Sequence, residues 1–124
     1  MSPLELLGIA LAGGLGAAAR FLAGLVRSER PERTTAGVNV IASLLAGIAT
    51  GLLPLSGAWE AILVTGFCGG LSTYSAFAVQ AVEQLERRRA GRALATMALT
   101  LVGGTIAAAL GLLLGAVLVP TPAA

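Results

Sequence analysis

Histidine and lysine are absent from this chain of 124 residues, cysteine occurs once, and charged side chains make up only 11% of it. Each shortage excludes a class of chemistry. Without histidine, neither a Ser-His-Asp triad, a Cys-His pair nor a His/Cys metal site can be assembled within one chain. A single cysteine, Cys68, excludes a disulfide scaffold. It has no charged neighbour in sequence to favour the thiolate, so no reactivity is assigned to it. Soluble domains carry about 25% charged residues, well above this chain. Against that scarcity stands a hydrophobic share of 56%. The composition is that of an integral membrane protein with very small loops. The length accommodates four spans of roughly 20 residues each and little else, so a single transmembrane domain over 1–124 is expected.

The apolar segments can be placed from their breakers. Segment one, about 4–26, is rich in small residues, and Gly8/Ala12 and Gly13/Ala17 are pairs that let helix backbones approach closely in lipid. Its start, Met1-Ser2-Pro3-Leu4-Glu5, has no basic region, and the apolar run continues past Arg20, so it reads as a span and not as a secretory signal. Pro31 is expected to stop any helix in the loop that follows. Segment two, about 34–53, carries Asn39 and the pair Gly47/Gly51. Pro54 and Gly57 make a turn, and Trp59 sits at an expected interface position. Segment three runs over about 58–85 and segment four over about 92–119. In the last, Gly103, Ala107, Gly111 and Gly115 recur every four residues, giving one smooth face. Pro120 and Pro122 follow it.

The basic groups are eight arginines. Arg27, Arg30 and Arg33 lie between segments one and two. Arg87, Arg88 and Arg89 lie between segments three and four, with Arg92 at the start of segment four. Both connections fall on the same side of a four-span protein. The positive-inside rule makes that side cytoplasmic and both termini extracytoplasmic, in the plasma (inner) membrane. The net charge of +2 therefore reflects topology and does not indicate a nucleic-acid partner.

Polar residues inside the spans are few and each has a bland alternative. Asn39 reads either as interhelical hydrogen-bond glue, at about 0.6–2 kcal/mol, or as a contact to an ion through its amide donors. Arg20 either snorkels to the cytoplasmic surface or marks an anion-attracting vestibule. The densest cluster is Gly66-Phe67-Cys68-Gly69-Gly70-Leu71-Ser72-Thr73-Tyr74-Ser75-Ala76-Phe77. Gly69-Gly70 invites a break in the third helix near its middle. A break at bilayer depth is tolerated only where protein buries it or a polar cavity lines it. Ser72, Thr73 and Ser75 could simply satisfy backbone groups there, and Tyr74 and Phe77, three apart, share a helix face. Their concentration beside the break points to a functional site.

These residues resemble the Fluc (CrcB) family of fluoride channels. The family motif is close to G-F-x-G-G-x-T-T-F-S-T-F, which here spans Gly66 to Phe77. Asn39 matches the segment-two Asn in a G-V-N context. The resemblance covers the whole chain. It implies an all-α membrane protein of four transmembrane helices, the third broken, forming an antiparallel dimer with two narrow pores. It implies a passive channel, not an enzyme, that exports cytoplasmic fluoride and relieves its toxicity without ATP or proton coupling. Asn39 would donate to fluoride, and Tyr74 and Phe77 would present ring edges. Thr73 and Ser75 would supply hydroxyls, and Thr96 and Thr100 would match a polar track on segment four. The backbone carbonyls of Gly69 and Ser72 would hold a structural Na+ at the dimer two-fold.

The physics agrees with that assignment. Fluoride is small and strongly hydrated. Amide and hydroxyl donors with the positive edges of aromatic rings can replace its water at lower field than arginine, as conduction requires. Two departures stand out: Tyr74 stands where the motif has a Phe and Ala76 where it has a Thr. Seven of the eight arginines also lie on one side, a bias that suits one insertion orientation and a second, oppositely biased homologue as partner. Two rivals are a non-conducting subunit of a two-chain channel and a small four-helix multidrug transporter. The transporter needs a carboxylate in the middle of segment one, where Leu11 to Ala19 offers none.

Overall fold

The computed structural model describes residues 1–26, 29–53 and 57–119. Arg27, Pro54, Pro120 and Pro122 lie outside the described residues. Helix α1 spans Pro3–Val26 and α2 spans Pro31–Leu52. The third span is composite. A turn, α3 (Ala58–Glu60), runs into a π-helix, Ala61–Cys68, and then into one more α-turn, α4 (Gly69–Leu71). After Ser72 and Thr73 the chain resumes as α5 (Tyr74–Glu86), and α6 covers Ala90–Leu118. The stretches Pro3–Val26, Pro31–Leu52, Ala58–Glu86 and Ala90–Leu118 are each long and apolar enough to cross a membrane. The chain is an all-helical, multi-pass membrane protein.

Local chemistry explains the ends. Ser2 and Glu5 form a reciprocal capping box at the start of α1: the Ser2 amide donates to Glu5 Oε2 at 2.9 Å and the Glu5 amide donates to Ser2 Oγ at 3.2 Å. Pro31 does not stop a helix, as its sequence context suggested, but opens α2. At the first helical position a missing N–H costs nothing and the fixed φ is already helical. Between α5 and α6, Arg88 takes the left-handed conformation (φ 57°). That lets the Arg89 amide donate back to the Gln84 carbonyl at 2.8 Å and close the helix end.

The spans pack as two backbone-to-backbone pairs. Glycines 47 and 51 of α2 face glycines 111 and 115 of α6. A methyl on Gly111 would come within 2.9 Å of the Ile48 nitrogen, and one on Gly51 within 3.0 Å of the Gly115 Cα. Of the predicted row Gly103-Ala107-Gly111-Gly115, the last three are buried in this seam and Gly103 is half-buried. The second pair runs parallel, α1 against the π-helix and α4. A methyl on Gly16 would approach the Leu71 nitrogen to 2.8 Å, and one on Gly66 the Ile9 carbonyl oxygen to 2.9 Å. Lipid tails are as apolar as leucine, so such pairs are held by close dispersion contact and not by expulsion of water.

The break falls elsewhere than the glycine doublet. Gly69 is helical (φ −63°, ψ −38°), whereas Ser72 (φ −76°, ψ 156°) and Thr73 (φ −147°, ψ 125°) are extended. Gly70 is needed for another reason. A Cβ there would lie 2.9 Å from the Gly13 carbonyl carbon, so it keeps the third span against α1. The π-helix just before the break had no signal in the sequence. Such segments mark irregular, often functional, stretches of helix.

Candidate functional site

Two extended residues in mid-span leave backbone groups without helical partners. Asn39, on the facing turn of α2, supplies them. Its Nδ2 donates to the Thr73 carbonyl at 3.0 Å and its Oδ1 accepts from the Thr73 amide at 2.8 Å. The amide orientation is fixed by this pairing, because a backbone N–H only donates and a carbonyl only accepts. Each bond contributes about 0.5–1.5 kcal/mol net, and leaving either part-buried group unmet would cost about 1 kcal/mol. Asn39 is therefore the glue of the break. One of its two Nδ2 hydrogens is used on Thr73, and a primary amide has a second.

Thr73 caps the helix that restarts. Its Oγ1 accepts from the Ala76 amide at 3.3 Å and lies 3.3 Å from Ser75 Oγ. Among the described residues, the Gly69 carbonyl accepts only a long bond from the Ser72 hydroxyl, at 3.5 Å, and the Ser72 carbonyl accepts none. Two backbone oxygens on the same turn are thus available to a cation, which suits a hard, oxygen-seeking ion.

An open groove of about 560 Å³ lies beside the break. Asn39, Ser72, Thr73, Tyr74, Phe77 and Thr100, all expected at the site, line it together. The Tyr74 and Phe77 rings lie 6.3 Å apart, tilted by 42°. Ser75 and Thr96 do not line this groove. Ser75 faces a separate recess with Pro31 and Glu83, and Thr96 donates to the Arg92 carbonyl at 2.9 Å. Ser43 and Thr105 line the groove and were not singled out in the sequence. The available signal was spacing: Ser43 is one helical turn past Asn39, and its hydroxyl donates to the Asn39 carbonyl at 2.9 Å. The α6 hydroxyls are committed in the same way, Thr100 to the Thr96 carbonyl at 2.8 Å and Thr105 to the Leu101 carbonyl at 2.7 Å.

Arg20 is half-buried in α1. Among the described residues its Nε is buried without a hydrogen-bond partner, and no carboxylate pairs with it. Cys68 is buried and unpaired. No group of acidic, cysteine or histidine side chains able to hold a metal occurs among the described residues.

The family model described as CrcB-like protein, Camphor Resistance (CrcB), matches residues 7–112. The chain belongs to the CrcB family. Its relatives include the fluoride-specific ion channel FluC 1 of Leifsonia xyli subsp. xyli, 42% identical over 100% of this chain and 96% of that protein. Fluoride-specific ion channel FluC of Bordetella petrii is 41% identical, over 89% of this chain and 90% of its own. FluC 2 of Rhodococcus jostii is 44% identical, over 83% and 91% respectively. These relatives carry the name of a channel, not of an enzyme.

Proposed function

We infer that this chain is a subunit of a passive fluoride channel that lets cytoplasmic fluoride leave the cell. The observation that carries the reading is the groove beside the break. It gathers an amide, hydroxyls and two aromatic rings, the low-field donors that a small, strongly hydrated anion needs. Asn39 offers its second Nδ2 hydrogen. Thr100 and Thr105 must exchange a backbone bond for the ion, so they hold it loosely and release it readily. Thr73 and Ser75 act at the restart of the helix. Thr96 continues the hydroxyl track toward the cytoplasm. Arg20, with an unmet Nε, draws anions toward the pathway.

The functional unit is an antiparallel dimer. Tyr74 stands halfway along the third span and is 81% exposed, with the broken backbone and the groove beside it. Hydrocarbon does not tolerate such polar groups, so protein or water must cover them. A second chain across the groove does so. The free carbonyls of Gly69 and Ser72 would hold Na+ on the two-fold axis, where its charge offsets the repulsion between paired anions. The arginine bias supports an orientation with both termini outside and favours a homologue of opposite bias as partner.

Fluoride efflux from liposomes tests the reading, measured with an electrode for the chain alone and together with such a homologue. Flux is expected and Asn39→Asp abolishes it, since a carboxylate cannot donate to Thr73 and repels the anion. Absence of flux in both preparations would assign the chain to a silent subunit. Equal inward and outward populations of the termini, when the chain is expressed alone, would remove the need for a second homologue.

A further inference from the structure

Another cleft is remote from the groove. It measures about 1040 Å³ and lies between the end of α1 and the start of α2. Leu22, Ala23 and Val26 form one wall, and Val38 and Ile41 of α2 the other. Arg30 and Arg33, one turn apart, stand with Glu29 at its mouth. Among the described residues neither arginine is ion-paired, and both are exposed. The floor at Gly37 is open: a methyl built there meets nothing within 4 Å.

We propose that this cleft binds one anionic phospholipid of the arginine-side leaflet, phosphodiester on Arg30 and Arg33, acyl chain along Val26, Val38 and Ile41. A hydrated inorganic anion has no use for five apolar wall residues, whereas an amphiphile needs both ends. The volume is at the upper end of ligand pockets, about 300–1,000 Å³. Guanidinium pairs suit phosphate through their paired N–H donors. Basic pockets between spans on this leaflet recognise anionic headgroups by the same chemistry. Glu29 opposes the ligand's charge and so weakens the site without closing it. The inference rests on the chain lying in a membrane and not on fluoride conduction.

Native mass spectrometry of the full chain in mild detergent tests it, with phosphatidylglycerol or phosphatidylcholine added. Phosphatidylglycerol is expected to be retained several-fold more than phosphatidylcholine. Arg30→Gln with Arg33→Gln should reduce it to the phosphatidylcholine level, and Glu29→Gln should raise it. The same charge loss at the other loop, Arg87→Gln with Arg89→Gln, should leave it unchanged. Gly37→Leu adds a side chain where a methyl meets nothing within 4 Å and should lower retention of both lipids in a protein that stays monodisperse. Equal retention of the two lipids overturns the proposal, as does an equal loss in the Arg87/Arg89 variant. Displacement of phosphatidylglycerol by an equal concentration of inorganic phosphate would make the site one for free anions and likewise overturn it. Because the readout is lipid mass, failure here leaves fluoride flux unaffected.

Discussion

Helix α2 takes part in two contacts of opposite design, only two turns apart. At Gly47 and Gly51 it meets α6 with no side chain between the backbones. At Asn39 it meets the broken third span through a side chain that replaces a missing stretch of helix. The first contact is dry and made possible by absence, since every added atom meets backbone. The second is polar and depends on one group with both a donor and an acceptor. A four-span protein with such small side chains needs both. The seams fix where the helices stand, and the clamp lets one of them break without stranding polar groups in the membrane.

The largest expected effect separates neighbouring glycines of α4. Gly70→Ala puts a methyl 2.9 Å from the Gly13 carbonyl carbon. Overpacking of this kind costs about 1–3 kcal/mol, and rigid backbone on both sides puts it at the upper end. Loss of the monodisperse peak in size-exclusion chromatography is expected. Gly69→Ala meets only the Val64 carbonyl, at 3.7 Å, and should keep the fold, with a gain of up to about 1 kcal/mol from helix propensity. If the two variants fall together, the distinction between seam and open face is wrong. If Gly69→Ala folds but loses flux, the cation and the partner chain become the place to look.

Next in size is the clamp itself. Asn39→Ala strands both Thr73 backbone groups, at about 1 kcal/mol each, the low end of the range because both are only part-buried. A drop in thermal midpoint is expected, larger than that of Asn39→Asp, which still accepts from the Thr73 amide. Equal midpoints for wild type and Asn39→Ala would mean that water serves the break as well as Asn39 does. Thr73→Val keeps the shape but removes the cap of α5, at about 1 kcal/mol, whereas Thr73→Ser should stay within a few tenths of wild type. Thermal unfolding of the two side by side checks the cap. The smallest effect lies outside both contacts. Arg88→Gly relieves a left-handed residue, worth about 1–2 kcal/mol before the added freedom of the unfolded chain offsets much of it. A slight rise in midpoint is expected.

Much of this molecule was determined by its sequence alone. Scarce charge and long apolar runs allow little besides a four-span bundle. The i+4 glycines of the last span name the seam they form, and the Gly66 to Phe77 stretch names the family. These features are legible because each depends on composition or on helical period, which a chain carries locally. Tertiary structure decided what depends on a partner. Gly69-Gly70 looked like the break because glycine is a poor helix former. Yet Gly70 is held helical by its contact with α1, and the chain opens at Ser72 and Thr73, where Asn39 meets the unpaired groups. Ser43 and Thr105 joined the groove, and Ser75 and Thr96 stayed out of it, because the face a hydroxyl presents is set by the packing of its helix. The choice between glue and ion contact at Asn39 also turned on distance. Only the fold shows that both ends of the amide are engaged by Thr73 while a single Nδ2 hydrogen remains for something else.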